Sequence, residues 1–311
     1  MKNLSTKNRL IRRKQKRFPL VSVVMPVYNA EKYVGEAIES ILRQTYKRFE
    51  LIIVDDESTD GSSEIIKSYK RKHRTKIQII KTQRNLNGGG DMCANLGIER
   101  ARGKYIARMD ADDIAVPQRL EKQVEFLERN RRVFLVGSNA YAINKRGNTI
   151  GEKLEPTKLT DIYSSYATFH PIIHPTAMLR RVFRGVYFSY QIRYSANNDY
   201  YTFFKLLCKG YIFVNLPEKL IYYRIHDKND TFVNIKEKFL NTLKIRVNMV
   251  TRFNYKPSIR DIILNVAQGV IILSLPESII RNLYLVAKGI VRPKTLNIPP
   301  ILSRFIVRSS V

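Results

Sequence analysis

The sequence predicts an α/β fold with a mostly parallel sheet flanked by helices. Up to about residue 150, short β-branched and apolar runs alternate with segments whose apolar residues recur at helical spacing. Each intervening segment is long enough for a helix that crosses over between parallel strands. Polar residues cluster directly after the predicted strands, and such sheets bind ligands beyond the carboxyl ends of their strands. These observations together predict a ligand-binding rim at one edge of the sheet.

The elements of this first part follow in regular order. Buried strands are predicted at Val21–Met25, Leu51–Val54, Ile77–Ile80, Tyr105–Met109 and Val133–Val136. Helices are predicted between them at Glu31–Gln44, Ser62–Lys72, Met92–Ala101 and Pro117–Asn130. This alternation is typical of a sheet that is covered by helices on both faces.

The regular alternation ends near Tyr141. Asn144–Asn148 predicts a hairpin turn, residues 160–230 mix strand and helix patterns, and the pattern from Ile235 onward is helical and basic. The chain is therefore expected to comprise a basic tail at 1–18, a ligand-binding α/β domain at 19–232 and a basic helical region at 233–311.

The chain carries a large excess of positive charge, with 55 basic and 27 acidic residues and a net charge of +28. Binding to nucleic acid, binding to an anionic membrane surface and simple solvation are the three explanations for such an excess. The basic residues are densest at both ends of the chain, where no pattern of interleaved aromatic residues accompanies them. An anionic membrane surface is therefore the favoured partner, and nucleic acid is disfavoured.

We expect attachment to a membrane surface rather than a membrane span. The longest apolar stretch, Ile262–Leu275, contains Asn265 and Gln268, whereas a spanning helix needs about 20 apolar residues. No apolar segment follows the basic N-terminal residues, as it would in a signal peptide.

The two cysteines, Cys93 and Cys208, have a spacing that fits neither a disulfide framework nor a zinc site. The expected location is the cytoplasm, at the cytoplasmic face of the membrane.

An acidic cluster follows the fourth predicted strand, formed by Asp110, Asp112 and Asp113. Hard divalent cations such as Mg²⁺ or Mn²⁺ prefer oxygen ligands and share their coordination shell with substrate phosphates. The cluster therefore predicts a metal site that binds a diphosphate. The alternative is a helix cap ahead of Pro117, with Asp113 as the capping residue.

Polar residues also follow the first three strands. Asp56, or Asp55 beside it, fits a hydrogen-bond acceptor for a nucleobase imide or a ribose hydroxyl, and Tyr28 fits a ring that stacks on a base. The alternative is a simple turn, because residues 55–61 are rich in turn formers. Asn87–Gly90 similarly fits either a loop that contacts phosphate or a flexible turn.

One further carboxylate precedes an apolar helical run, at Asp199. It fits either a general base for a substrate hydroxyl or an N-terminal helix cap. His170, His174 and His226 are dispersed along the chain and fit either phosphate contact or structural hydrogen bonding.

Taken together, these residues resemble the family 2 inverting glycosyltransferases, which bind nucleotide sugars with the GT-A fold. The matching segments keep the family's order and spacing from residue 20 to about 230, at Val23–Asn29, Ser40–Thr45, Ile53–Gly61, Arg108–Asp113, His174–Met178, Asn198–Tyr200 and Tyr222–His226. Asn198 departs from the family pattern, which often has Glu at that position.

The resemblance implies a role for each matching residue. It places the donor nucleotide sugar against Pro26, Tyr28, Glu31, Asp55, Asp56, Arg108, Asp110 and His226. It implies that Asp112, together with Asp110 and Asp113, binds Mg²⁺ or Mn²⁺. It implies that Asp199 removes the proton from the acceptor hydroxyl.

The function implied is metal-dependent, inverting sugar transfer from a nucleotide-diphosphate donor to a saccharide or lipid-linked saccharide, in polysaccharide, lipopolysaccharide or glycolipid synthesis. A sugar nucleotidyltransferase is one alternative, but it needs a basic, Gly-rich loop after the first strand, where this chain has Pro26–Glu31. A basic protein that binds nucleic acid is the other, and it leaves the clustered carboxylates unexplained.

Overall fold

A computed structural model describes residues 18–86, 90–226, 229 and 233–291. The predicted basic tail through Arg17, residues 87–89 of the Gly-rich segment and the last part of the basic helical region, residues 292–311, lie outside the described residues.

The strands of the described residues are β1 Val21–Val27, β2 Phe49–Asp55, β3 Ile77–Lys81, β4 Tyr105–Arg108, β5 Ile114–Ala115, β6 Val133–Asn144, β7 Thr149–Lys153, β8 Met178–Arg180, β9 Val182–Phe183, β10 Val186–Tyr187 and β11 Ile212–Ile225. The helices are α1 Val34–Leu42, α2 Ser62–Lys72, α3 Asp91–Arg100, α4 Arg119–Arg129, α5 Leu159–Ser165, α6 Asn198–Cys208, α7 Ile235–Phe253, α8 Ile259–Ser274 and α9 Glu277–Ala287. A single 3₁₀ turn spans His174–Thr176.

The first four strands form the parallel half of the sheet, in the order β3-β2-β1-β4. Their residues are apolar and largely buried because helices cover both faces of the sheet. The register pairs Val27 with Asp55 and Asp55 with Lys81, so the carboxyl ends of these strands lie at one rim. The predicted sheet and its rim of polar residues are therefore confirmed.

The second half of the sheet contains features that the sequence patterns did not predict. Strand β8 is antiparallel to both of its neighbours, β4 and β6, and the long strand β11 runs parallel to β6. A strand as short as Met178–Arg180 shows no recognisable period, which is why the alternation did not reveal it. The predicted hairpin at Asn144–Asn148 joins β6 to β7 as expected.

The predicted helices are present, with small shifts at their ends. Helix α2 has the predicted bounds, whereas α4 begins at Arg119 rather than Pro117. The carbonyl of Pro117 accepts a hydrogen bond from the Thr45 N–H, and this contact holds the residues before α4 against the end of α1.

The C-terminal part of the described chain contains the three helices α7, α8 and α9. Ser258 caps α8 through a reciprocal pair of hydrogen bonds with Asp261, yet no residue of α8 is buried. Within the described residues, no helix combines the length and apolar character needed to cross a bilayer.

Candidate active site

A cleft of about 3230 Å³ runs along the rim of the sheet. Small-molecule sites typically occupy roughly 300–1,000 Å³, so the cleft has room for more than one substrate. Nine of the residues predicted for the site line it, namely Pro26, Tyr28, Glu31, Asp56, Arg108, Asp110, Asp112, Asp199 and His226. Asp55 and Asp113 are buried behind this lining.

The wall that follows β1 and β2 is fastened by hydrogen bonds between loops. Asp55 accepts hydrogen bonds from the Ser58 N–H at 3.0 Å and from the Ser63 hydroxyl. Its carboxylate is thus occupied in the turn that sequence analysis gave as the alternative. Glu31 is fastened similarly, because its carboxylate accepts a hydrogen bond from the Gly61 N–H at 2.9 Å.

Asp56 links this wall to the loop after β3. Its Oδ1 accepts hydrogen bonds from the Leu86 N–H at 3.0 Å and from the Thr82 hydroxyl at 3.1 Å. The Tyr28 ring stands nearby with 54% of its surface exposed, so its face is available to a ligand. Gly90 has a φ of +83°, and a Cβ atom there would lie 3.2 Å from the Arg108 guanidinium.

The acidic cluster after β4 brings three carboxylates together. One oxygen from each of Asp110, Asp112 and Asp113 lies within 4.8 Å of the other two. Asp110 pairs with the buried Arg108 guanidinium at 2.9 Å, and Asp112 pairs with His226 Nε2 at 2.9 Å. The cluster thus has cationic or proton-donating groups on both sides and an acidic centre.

Asp113 is the buried member of the cluster. Its Oδ1 accepts a hydrogen bond from the Arg224 N–H at 2.8 Å, while its Oδ2 is buried without a hydrogen-bond partner. Burial and the charges of Asp112 and Asp110 raise the pKa of Asp113 well above its usual range. An unpartnered buried oxygen beside two further carboxylates is a donor set that fits a hard divalent cation.

The structure rules out the alternative in which Asp113 caps a helix. The N-cap position of α4 is Gln118, and Asp113 precedes the short strand β5 instead. The acidic residues therefore do not serve that helix terminus.

Two buried arginines, which the sequence patterns did not single out as supports, hold the acidic segment in place. Arg224 donates from Nε to the Asp112 carbonyl at 2.7 Å and pairs with Glu36 at 2.5 Å. Arg119 donates to the Arg108 carbonyl at 2.7 Å, and burial lowers its pKa to about 9. A long polar side chain in a sheet or helix gives no sign in sequence of which carbonyl it will reach.

Asp199 also lines the cleft, in the first turn of α6. The N-cap position of this helix is Asn197, so Asp199 is not the cap. Burial alone would raise the pKa of Asp199, but His174 and His170 beside it and the Tyr200 N–H lower it. The carboxylate is therefore ionised at neutral pH, which a proton acceptor requires.

Asn198, the position that departs from the family pattern, has a structural role. It is fully buried, and its Oδ1 accepts hydrogen bonds from the N–H groups of Arg193 and Tyr194, each at 2.9 Å. It fixes the loop that leads into α6 and so the position of Asp199.

Asp91, a carboxylate that sequence analysis missed, lies beside Asp199. Its Oδ2 accepts a hydrogen bond from the Asp199 N–H at 3.0 Å, and its Oδ1 is buried without a hydrogen-bond partner. Burial and the charge of Asp199 raise the pKa of Asp91 well above its usual range. The only sequence signal was its place directly after the Gly-rich segment.

Comparison with known proteins adds to this geometry. A family model described as glycosyl transferase family 2 matches residues 22–186. An uncharacterised glycosyltransferase of Methanocaldococcus jannaschii is 39% identical over 226 residues, 71% of this chain and 76% of that protein. A putative teichuronic acid biosynthesis glycosyltransferase of Bacillus subtilis, TuaG, is 34% identical over 209 residues, 67% of this chain and 79% of that protein.

A solved structure shows the same fold at low sequence identity. It is a mannosyltransferase from Pyrobaculum calidifontis in complex with GDP-mannose and Mn²⁺, with a TM-score of 0.58 at 16% identity. The similarity covers 94% of this chain and 86% of that one.

Proposed function

The chain belongs to glycosyl transferase family 2 and has the GT-A fold, and from this premise we propose that it is a metal-dependent, inverting glycosyltransferase. The observation that carries the proposal is the convergence of an acidic cluster and an ionised Asp199 on one cleft. The acidic cluster suits a nucleoside diphosphate with its cation, and Asp199 suits the removal of a proton from an acceptor hydroxyl.

On the donor side, each predicted residue has a proposed task. Asp56 accepts a hydrogen bond from the base, Tyr28 stacks on it, and Pro26 and Glu31 line the pocket. Arg108 orients Asp110 toward the ribose, and His226 holds Asp112 and contacts the diphosphate. Asp55 contributes by fastening its loop.

Asp110, Asp112 and Asp113 would hold Mg²⁺ or Mn²⁺, which when bound neutralises the charge of the leaving nucleoside diphosphate. The presence of Mn²⁺ in the Pyrobaculum enzyme supports this assignment. Arg224 and Arg119 keep the carboxylates in register by holding the backbone on either side of them.

On the acceptor side, Asp199 takes the hydroxyl proton while the acceptor oxygen bonds to the anomeric carbon of the sugar. The bond from that carbon to the diphosphate oxygen breaks in the same displacement, so the configuration inverts. No covalent bond between sugar and enzyme is needed.

The acceptor is proposed to be a lipid-linked saccharide in cell-surface polysaccharide synthesis. The part of the cleft beyond Asp199 is lined by the C-terminal helices and contains Arg246, Arg260 and Arg281, which suit the phosphate of such a carrier. The teichuronic acid relative supports polysaccharide synthesis as the process.

Transfer assays with UDP-, GDP- and dTDP-sugars and Mg²⁺ or Mn²⁺ test this function, comparing wild type with Asp112→Ala and Asp199→Asn. We expect metal-dependent turnover of one donor, with transfer reduced about 10²- to 10⁴-fold by Asp199→Asn. Asp112→Ala is expected to lose metal-dependent donor binding, whereas Asp199→Asn should retain it. Full transfer by Asp199→Asn would show that another group is the base.

We also propose that α8 attaches the protein to the cytoplasmic face of the membrane. Six apolar residues on one face of this helix are 49–79% exposed, namely Ile259, Ile262, Ile263, Val266, Val270 and Leu273. Exposed basic residues accompany them on α7, on α8 and in the loop between, at Lys244, Arg252, Lys256 and Arg260. An apolar face with a basic flank suits an anionic lipid surface.

Vesicle sedimentation tests this surface, with phosphatidylglycerol vesicles against phosphatidylcholine vesicles. Ile263→Ser, Val266→Ser and Val270→Ser combined should release most of the bound protein. The matched control carries serine in place of Val182, Val186 and Tyr187, the exposed apolar residues of the β9–β10 hairpin. This control should bind to the vesicles like wild type. Equal binding by both triple variants would contradict the assignment of α8.

A further inference from the structure

We propose that His170 and His174 are positioning residues for Asp199 and that each directs a neutral N–H at Asp199 Oδ2. We refer to these two residues as the histidine clamp. The inference rests on the proposed role of Asp199 as the base, and it adds how the protein aims that base.

The clamp is defined by two distances to a single oxygen. His170 Nε2 lies 3.4 Å from Asp199 Oδ2, and His174 Nδ1 lies 3.6 Å from the same atom. These separations exceed those of good hydrogen bonds, but catalytic contacts often tighten when substrate binds. The other carboxylate oxygen, Oδ1, accepts a hydrogen bond from the Tyr200 N–H at 2.7 Å.

The tautomer of His170 follows from its second nitrogen. Nδ1 accepts a hydrogen bond from the Ile172 N–H at 3.3 Å, so this nitrogen carries no proton in the neutral ring. The proton must then be on Nε2, which is buried and has no hydrogen-bond partner at the present separation. An N–H without a partner, facing a carboxylate oxygen, is a donor in position to bind it.

The tautomer of His174 is the opposite one. Its Nε2 lies 2.8 Å from the Tyr190 hydroxyl, which can donate to it or accept from it. If Nε2 carried the proton, the lone pair of Nδ1 would face the lone pairs of Asp199 Oδ2. The carboxylate therefore selects the tautomer with the proton on Nδ1, and Tyr190 donates to Nε2.

His174 contributes to the orientation of the base without cancelling its charge. Burial lowers the pKa of His174 to about 3, so the ring is neutral at physiological pH. Two further titratable groups lie beside the clamp: Asp91 on α3, whose Oδ1 lies 3.9 Å from His174 Nε2, and Arg108 on β4, which pairs with Asp110. On the other side, the ring of His170 packs against Tyr166 and Tyr200.

The two tautomers give a crossed test. A Gln side chain places its amide nitrogen near the Nε2 position of the histidine it replaces, and an Asn side chain places its amide near Nδ1. His170→Gln and His174→Asn can therefore keep a donor facing Asp199. His170→Asn and His174→Gln remove that donor while changing each position by a similar amount.

The assay uses a saturating concentration of the nucleotide sugar. We expect His170→Gln and His174→Asn, which keep an N–H facing Asp199, to retain kcat within about threefold of wild type. His170→Asn and His174→Gln, which lose this N–H, should fall about 10- to 100-fold in kcat, with an unchanged KM for the nucleotide sugar. In the two variants that lose the N–H, the acidic limb of the pH–rate profile should shift upward by about one pH unit, because the N–H favours the carboxylate form of Asp199. Thermal unfolding midpoints, measured for all four variants, separate this effect from a loss of folding.

The clamp would be overturned if the Asn and Gln variants had equal kcat at both positions. It would also be overturned if the variants that lose the N–H were the more active ones. Asp199→Asn, assayed beside them, separates this result from a failure of the proposed function. If Asp199→Asn is inactive and the Asn and Gln variants have equal kcat at both histidines, the clamp is wrong but the assignment of Asp199 as the base is retained. If Asp199→Asn transfers sugar fully, the assignment of the base is wrong as well.

Discussion

The two walls of the cleft are held together in different ways. The donor wall is formed by the residues that follow strands β1, β2 and β4, and buried arginine side chains donate to its backbone carbonyls, as Arg119 does to Arg108. The acceptor wall is formed by side chains from distant segments, and 108 residues separate Asp199 from Asp91, which accepts its N–H. The backbone of the donor wall is thus held by buried arginines, whereas the acceptor wall is held by contacts to the buried carboxylates of Asp91 and Asp199.

From this comparison we expect that a substitution in the donor wall lowers the free energy of unfolding of the protein. Arg224→Met removes a guanidinium that is 2% exposed, leaving the Asp112 carbonyl without its partner. We expect a loss of about 3 kcal/mol in the free energy of unfolding and a higher metal requirement for activity. Urea unfolding at pH 7 and metal titration of activity measure the two effects.

The control for Arg224 is Lys122→Met, which breaks an exposed ion pair with Glu218. It should change the free energy of unfolding by less than about 1 kcal/mol. If both variants lose the same stability, the donor wall is not held by its buried arginine.

A smaller effect is expected in the acceptor wall, and it depends on pH. Because the pKa of His174 is lowered to about 3 by burial, the unfolded chain takes up this proton near pH 6.5 and the folded chain does not. The stability that His174 contributes is therefore complete above about pH 6.5 and is lost as the pH falls toward 3.

The measurement is the free energy of unfolding of wild type minus that of His174→Asn, by urea at several pH values. This difference should fall by about 2 kcal/mol between pH 7 and pH 5. The raised pKa of Asp91 acts in the opposite sense, but Asp91 is present in both proteins and its contribution largely cancels. Parallel stability curves would show that His174 is not held neutral by its surroundings.

The same contrast between the walls explains how far the sequence could be interpreted. The four parallel strands β1 to β4, the helices through α4 and the acidic cluster were predictable, because hydrophobic periods and contiguous motifs report local structure. Asp91, Arg119 and the supporting role of Arg224 were not, because their partners lie on other elements of the fold. His170 was noticed only as a dispersed histidine and His174 also as the first residue of a matching segment, and nothing in their spacing placed them beside Asp199.

Strand β8 has a consequence for how the chain reaches this fold. Strand β4 pairs with β1 on one side and with Met178–Arg180 of β8 on the other, and β8 follows β4 by some 70 residues. Until that segment has been synthesised, β4 is an unprotected edge that can pair with another chain. The nascent domain therefore has a window for aggregation that closes only when β8 is inserted.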